Sequence, residues 1–585
     1  MLITRLSSDI QECFAAAGFP DASATVTHSQ RPEFGQFQTN AAMAIAKAHR
    51  QPPRKIAEAV VAQLGKLAHL RDVSIQGPGF INFSLTDDYL QAQLRGQVAD
   101  PRGGVPPADK PATVVLDYGG PNVAKAMHVG HLRSSIIGDT LRRLAQALGH
   151  RTIADVHLGD WGLPMGMVLS EMLMRAQRSP GETIAADIDK GVGADLTIDE
   201  LNELYPAAAA RCKSDEAALA EARRLTMELQ NGHPGLQRLW SRIVEISIAA
   251  ARQEFARLNV TFDLWYGESR VHERLTKLVP ALEAKGFAQR DQGALIIPVA
   301  RPDDDHEIPP FILEKSDGAV MYGGTDLATI AERVEEFDPD VMLYIVDQRQ
   351  RIHFEQVFRA AETVGLIRDG RPGCEHIGFG TVNGPDGKPL KTRSGGVLKL
   401  SDLIDQATDV ARTRLQQAEL AAGTDIETTA QQLGIATIRF ADLANNRVSD
   451  YIFNLEKFSA AEGRTGPYLC YSAVRASAIL ERADKSDLGG DQPLVLDSAV
   501  ERDLVIGLLG LGDAATSAFD KRLPNILCEH LFGVAQAFNA FYHQIHVLTE
   551  PDTARRRSLL ALVAAVEKQL RLGLSLLGIE APQKM

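Results

Sequence analysis

The sequence predicts a multidomain α/β chain: a parallel-sheet domain in the middle, an α+β domain ahead of it and an all-α domain after it. Three observations carry this reading. The β-branched segment Thr113–Leu116 is followed by a Gly/Pro/Asn loop at 119–122, an apolar series at helical spacing, and a second apolar strand at Ile153–Val156, the opening of a parallel α/β sheet. The stretch Asp100-Pro101-Arg102-Gly103-Gly104-Val105-Pro106-Pro107 reads as a linker by composition. From about residue 404 onward the pattern is almost entirely helical.

Taken in order, residues 36–47 read as a helix start, with Thr39 or Asn40 able to cap it and alanines favouring it. Ile75–Leu85 reads as a strand, with Gly77-Pro78-Gly79 turning the chain at its head. A boundary is expected within 99–111. Leu132, Ile136, Ile137, Leu141, Leu144 and Leu148 then mark one helix, which Gly149 stops. Residues 180–260 look mainly helical, and β-rich patches follow at Gly293–Val299 and Phe311–Tyr322. Two further strands, Val341–Val346 and His376–Thr381, resume the parallel sheet. No internal repeat or low-complexity tract interrupts this order.

A chain of 585 residues is too long for one core. With 45% hydrophobic and 23% charged residues it has a globular composition. The absence of an eighteen-residue apolar run or a basic-then-apolar leader predicts neither a membrane span nor a secretory signal. Cys13, Cys212, Cys374, Cys470 and Cys528 form no CxxC pair, so free thiols in a reducing cytoplasm are expected, and no zinc knuckle. The net charge of −13 weighs against nucleic-acid binding if summed over the chain, although what phosphates meet is the charge of one face.

The strongest chemical signal is Pro121-Asn122-Val123-Ala124-Lys125-Ala126-Met127-His128-Val129-Gly130-His131, set between a strand and its helix. The carboxyl end of a parallel strand is where α/β sheets bind ligands, and the next helix N-terminus presents N–H groups to phosphate. Two imidazoles three residues apart can donate to one triphosphate, Gly130 lets a flat base approach, and Lys125 adds a point charge. A bare HxGH also arises as a loop with incidental histidines, and the strand-and-helix context is what weighs against that.

HVGH resembles the HIGH signature of class I aminoacyl-tRNA synthetases, and DYGGPNVAKAMHVGHLRSSIIGDTL resembles the arginyl-tRNA synthetases in particular. HLGDWGLPMG (157–166), Gly35–Lys47, Gly77–Leu85, GRTGPYLCYSAVRA, FNAFY and LLGIEAP are similar to that family in the same order along the chain. The resemblance implies an N-terminal additional domain over 1–105 that contacts tRNA and a Rossmann-like class I catalytic domain over 112–403. It further implies a helical connecting segment over 404–455 and a helical anticodon-binding domain over 456–585. Two other classes share such a loop: a small nucleotidyltransferase, which would leave some three hundred residues without a purpose, and a synthetase-like RNA binder that does not charge tRNA.

The family's second signature, KMSKS, is degenerate here: Gly384–Gly396 has Pro389 and Thr392 where lysines are expected. Lys388, Lys391 and Arg393 in a Gly-rich loop still suit a pyrophosphate clamp, a solvated basic turn being the alternative. The resemblance implies that Lys125 supplies the missing charge, and that activation of the amino acid depends on bound tRNA. A guanidinium is matched bidentately by carboxylates, and Asp117 and Asp326 are the candidates; a turn-capping Asp and a helix-cap Asp are the bland readings. By resemblance Asn122, Tyr322, Asp326 and Gln350 line an arginine pocket with Asp117 alongside. Of the aromatics Tyr468, Tyr471, Phe538, Phe541 and Tyr542, most are expected in the core, and Tyr542 is the expected base contact. The expected ligands are ATP with Mg²⁺, L-arginine and tRNA(Arg), bound by a cytoplasmic monomer with no membrane partner and no zinc.

Overall fold

A computed structural model describes residues 1–175, 196–316, 322–390, 398–418, 423–488 and 494–585. They form two compact units: Ala108–Ala411 with Thr437–Phe458, and Met1–Pro107 with Arg412–Ala436 and Ser459–Met585.

The second of these begins with the helix Leu2–Ala16, followed by an antiparallel sheet of β1 (Thr27–His28), β2 (Phe37–Thr39), β3 (Leu70–Gln76) and β4 (Phe80–Leu85), in the order β1-β2-β4-β3. The expected single strand from Ile75 is therefore a hairpin: the glycines turn the chain between two strands rather than leading into one. Gly77 and Gly79 have φ of 53° and 153°, and a side chain on Gly79 would press on the Pro53 backbone. The helix Ala41–His49 does start after Asn40, but the cap oxygen comes from Thr39, which accepts the Ala41 N–H. The same unit holds the helices Gly466–Arg482, Ala499–Leu509, Leu511–Asp520, Asn525–Gln544 and Thr553–Leu576. Asp87 takes Arg502 through both oxygens at 2.7 Å, and Asp513 accepts the first-turn N–H groups of Ile3 and Thr4. The N-terminal residues thus pack with the C-terminal helices as one body.

The other unit is built on a four-stranded sheet of β5 (Thr113–Asp117), β6 (Arg151–Asp155), β10 (Val341–Tyr344) and β11 (Gly373–His376), all parallel, in the order β11-β10-β5-β6. Val114, Val115 and Leu116 are all buried, as expected where helices cover both faces. The helix Leu132–Ala147 follows the apolar period, yet it buries Arg133 and Asp139 as well. Arg133 pairs with Asp442 at 3.1 Å and Asp139 with Arg439 at 2.7 Å, both pairs fully enclosed. Between β6 and β10 come the insertion helices Leu163–Arg175, Ile198–Ser214, Glu216–Gln230 and Pro234–Arg257. A small antiparallel sheet of β7 (Gln289–Asp291), β8 (Ala294–Ile297) and β9 (Phe311–Glu314) follows. Tyr322 opens a helix, Tyr322–Phe337, rather than ending a β-rich patch. The helical tail expected after 404 contains one short strand among the described residues, β13 (Tyr451–Ile452), which pairs in parallel with β12 (Val382–Asn383) ahead of it. Among the described residues no helix is long and apolar enough to cross a membrane.

Candidate active site

β5 ends at Asp117, and everything from Tyr118 to His131 rises from its carboxyl end. Asn122 bridges to Gly159, where any side chain would collide with the Asn122 amide oxygen. Ala124 sits in the left-handed region at φ 60°, and its N–H donates to the buried Ser247 hydroxyl at 2.9 Å. Pro121 is buried, Asn122 and Gly130 exposed, and Lys125 half-buried. Lys125 is not a free-swinging charge: its ammonium lies 3.8 Å from the centre of the Tyr205 ring.

The two signature histidines cap a short 3-10 turn, Val129–His131, reciprocally. His128 Nδ1 accepts the Gly130 N–H at 3.0 Å, and His131 Nδ1 accepts the His128 N–H at 3.1 Å. Accepting at Nδ1 leaves the proton of each neutral ring on Nε2. Both rings are held neutral: burial lowers the pKa of His128, with Lys125 adding to it, and burial with the neighbouring His128 brings His131 to about 3. Gly130 is needed here because a Cβ would stand 2.6 Å from the His128 ring. The outcome is a pair of Nε2–H donors whose rings lie 4.1 Å apart.

Beside this loop the ends of β5 and β6 meet a cluster of carboxylates. Arg333, buried on the helix Tyr322–Phe337, donates from one nitrogen to Asp117 at 2.7 Å and to Asp155 at 2.8 Å. His157, at φ 44°, faces this group. Burial pulls its pKa down, but Asp117, Asp155 and Asp326 outweigh both burial and Arg333 and raise it. Asp326, on the same helix as Arg333, accepts from His353 Nε2 at 2.7 Å. Glu268 closes the cluster: burial, reinforced by Asp160 and Asp326 against His157, raises it to about 7. Asp160 is buried and fixed by the Ser269 N–H and hydroxyl at 2.9 and 2.6 Å. Burial of so many acids around one internal arginine leaves an unmet demand for positive charge, which a ligand cation can satisfy. Gln350 is exposed on the 3-10 turn Gln348–Gln350, one turn ahead of His353. Tyr322 is the first residue of its helix. Glu268, His157, Arg333 and His353 were not read from the sequence. Their spacing carries no signal, because the insertion and the fold, not the local chain, bring them to Asp117 and Asp326.

The Gly-rich basic loop starts as a hairpin, with Leu390 N–H returning to Val382 and Gly384 N–H to the carbonyl of the exposed Lys388. Lys391 and Arg393 lie outside the described residues. Where description resumes, the chain pairs with the signature loop: Val129 N–H donates to Leu398, and Leu400 N–H to Met127.

In the other unit a cavity of about 980 Å³ is lined by Tyr468, Tyr471, Arg475, Asn539, Tyr542, His543 and Met585, among others. Tyr542 is exposed, with Arg475 5.2 Å from its ring centre, while Phe538 and Phe541 are fully buried. Asn539 donates to the Tyr468 hydroxyl at 2.7 Å. Flat aromatic faces beside amide and guanidinium donors are the surfaces on which single-stranded RNA bases are read.

The profile of the class I (R) tRNA synthetase catalytic domain matches residues 100–455. That of the arginyl tRNA synthetase N-terminal domain matches 2–85, and that of the DALR anticodon binding domain 469–585. Arginine--tRNA ligases of Alkaliphilus oremlandii and Hyphomonas neptunium are 40% and 44% identical, each aligned over 100% of both chains. The arginyl-tRNA synthetases of Thermus thermophilus and Plasmodium falciparum share the fold, each with a TM-score of 0.81 at 23% identity. These alignments cover 100% of this chain and 100% and 99% of the two structures respectively. With relatives this similar from end to end and three domain profiles in the family's order, the chain belongs to the arginyl-tRNA synthetases.

Proposed function

We propose that this chain ligates L-arginine to tRNA(Arg) using ATP, through an arginyl-adenylate. The guanidinium enters the acidic cluster, where Asp326 offers a carboxylate fork, with Tyr322, Asn122 and Gln350 around the rest of the amino acid and Asp117 alongside. ATP lies over the carboxyl edge of the sheet against Pro121 and Gly130. An arginine carboxylate oxygen attacks the α-phosphorus, and the bond to the pyrophosphate oxygen breaks. His128 and His131 stabilise the developing charge through their Nε2–H donors, and Lys125 does so as a cation. Lys388, Lys391 and Arg393 serve the departing pyrophosphate. The terminal ribose hydroxyl of tRNA then takes the arginyl group, releasing AMP. No side chain acts as a covalent nucleophile.

Mg²⁺ fits this scheme as a companion of the nucleotide. Among the described residues no three His, Cys, Asp or Glu side chains converge as a metal cage, and this ion is commonly held by phosphate oxygens and water. Bound there, it neutralises phosphate charge. Residues 1–105 contact tRNA, 112–403 catalyse, 404–455 connect, and 456–585 read the anticodon with Tyr542 as a base contact. The cavity beside Tyr542 supports that last assignment. The enzyme works as a cytoplasmic monomer, a reading that its five free cysteines support as to compartment.

The observation that carries the reading is the placement of the neutral histidine pair and the acidic cluster at the carboxyl ends of the neighbouring strands β5 and β6. Pyrophosphate exchange with purified protein, ATP and tRNA(Arg) tests it. Exchange is expected with arginine and not with lysine, whose ammonium cannot fill a fork built for two parallel donors. Absence of arginine-dependent exchange overturns it.

A further inference from the structure

Lys125 is held from two sides by the helical insertion. Its backbone is fixed one residue earlier, where the left-handed Ala124 donates its N–H to Ser247 on the helix Pro234–Arg257. Its ammonium rests over Tyr205, on the helix Ile198–Ser214, at 3.8 Å from the ring centre. That helix begins with a full capping box, Thr197 and Glu200 each accepting the other's N–H, which fixes the start of the helix about two turns ahead of Tyr205. Among the described residues no carboxylate stands within ion-pairing distance of Lys125. The chemistry of the partner matters. A carboxylate would cancel the lysine's charge toward phosphate, whereas an aromatic face attracts the cation without accepting its N–H groups in ion-paired hydrogen bonds.

We propose that Tyr205 is a positioning residue for Lys125, holding its ammonium beside the signature histidines with the charge undiminished for the phosphates of ATP. The inference rests on the reading of Lys125 as the lysine that acts at the phosphates. It gives the insertion a part in the chemistry: two of its helices set the backbone and the head group of a residue that belongs to the nucleotide loop. The lowering of the His128 and His131 pKa values by Lys125 agrees with the ammonium lying close to both rings.

The test is tRNA-saturated, arginine-dependent pyrophosphate exchange in the wild type and in Lys125→Ala, Tyr205→Phe, Tyr205→Leu and the double variant Lys125→Ala/Tyr205→Leu. Thermal unfolding of each serves as the check on folding. Tyr205→Leu is expected to lower kcat roughly three- to tenfold, the range of a half-exposed cation–π contact. The KM for arginine should stay within about twofold, as for an interaction realised in the transition state. Tyr205→Phe keeps the ring and should recover most of the loss. In the Lys125→Ala background the leucine change should cost nothing further, because the two residues act as one unit. Normal exchange in Lys125→Ala would overturn the underlying reading of the lysine. A crippled Lys125→Ala with wild-type Tyr205→Leu, or a full additional loss in the double variant, would overturn the role of Tyr205 alone.

Discussion

At His131 the ring is half-buried, neutral and locked by one backbone hydrogen bond, so its remaining N–H is aimed before substrate arrives. Removing one such preorganised donor costs on the order of a hundredfold in rate. His131→Ala is therefore expected to lower the exchange rate by about that factor while the protein stays folded; near-wild-type exchange in a folded variant would remove the loop from the chemistry. Glu268 gives a pH signature. With its pKa raised to about 7, it must lose a proton before it can face a guanidinium. Arginine binding then releases a proton, and the KM for arginine should climb as pH falls below about 7, approaching tenfold per unit, and flatten above it. Glu268→Gln should raise the KM and abolish this slope; an identical slope in the variant would assign the titration elsewhere. At this scale the histidine loop was legible because all of its parts are contiguous. Glu268 and Arg333 were not, since nothing in their neighbouring residues marks them, and their importance comes from burial beside residues far away in sequence.

At the scale of elements, the helix Tyr322–Phe337 carries Asp326 and Arg333 two turns apart, and Arg333 ties it to the ends of both β5 and β6. Arg333→Met would leave Asp117 and Asp155 buried without their cation, a loss of about 3–5 kcal/mol when one member of an enclosed charge group is removed. Urea unfolding should show this as a lowered midpoint, together with a raised KM for arginine as Asp326 loses its register. An unchanged midpoint would mean that the carboxylates find another partner. The strand–loop–helix–strand opening of the sheet was legible from periodicity alone, because apolar spacing is what a covered parallel sheet requires. Periodicity could not report that Arg133 and Asp139 lie on the buried side of the same helix, since charged positions read as solvent-facing unless their partners, here Asp442 and Arg439, are known. The hairpin at Gly77–Gly79 is illegible in the sequence for a related reason: a Gly-Pro-Gly turn starts a strand or joins two with the same residues.

For the molecule as a whole, the degenerate loop after β12 motivates a coupling between tRNA and amino-acid activation. Pro389 and Thr392 cannot supply the charges of a full clamp, so the closed site is expected to be favoured only when tRNA binds it better than the open one. A tenfold shift needs about 1.4 kcal/mol of such preference. Arginine-dependent exchange should thus be weak without tRNA(Arg) and robust with it, and strong exchange in its absence would sink the coupling. The order of three domains was legible from composition, whereas the packing of the first hundred residues with the C-terminal helices into one unit was not, because pairs such as Asp87–Arg502 join opposite ends of the sequence. A similar long reach closes the site. Met127 and Val129 share backbone hydrogen bonds with Leu398 and Leu400, about 270 residues further on. During synthesis the chain leaves the ribosome from its N-terminus, so β5, its loop and the whole insertion emerge before their pairing partner exists. The nucleotide loop is consequently finished late: a nascent chain stopped short of Leu398 carries both signature histidines and yet lacks the segment that their loop is laced to.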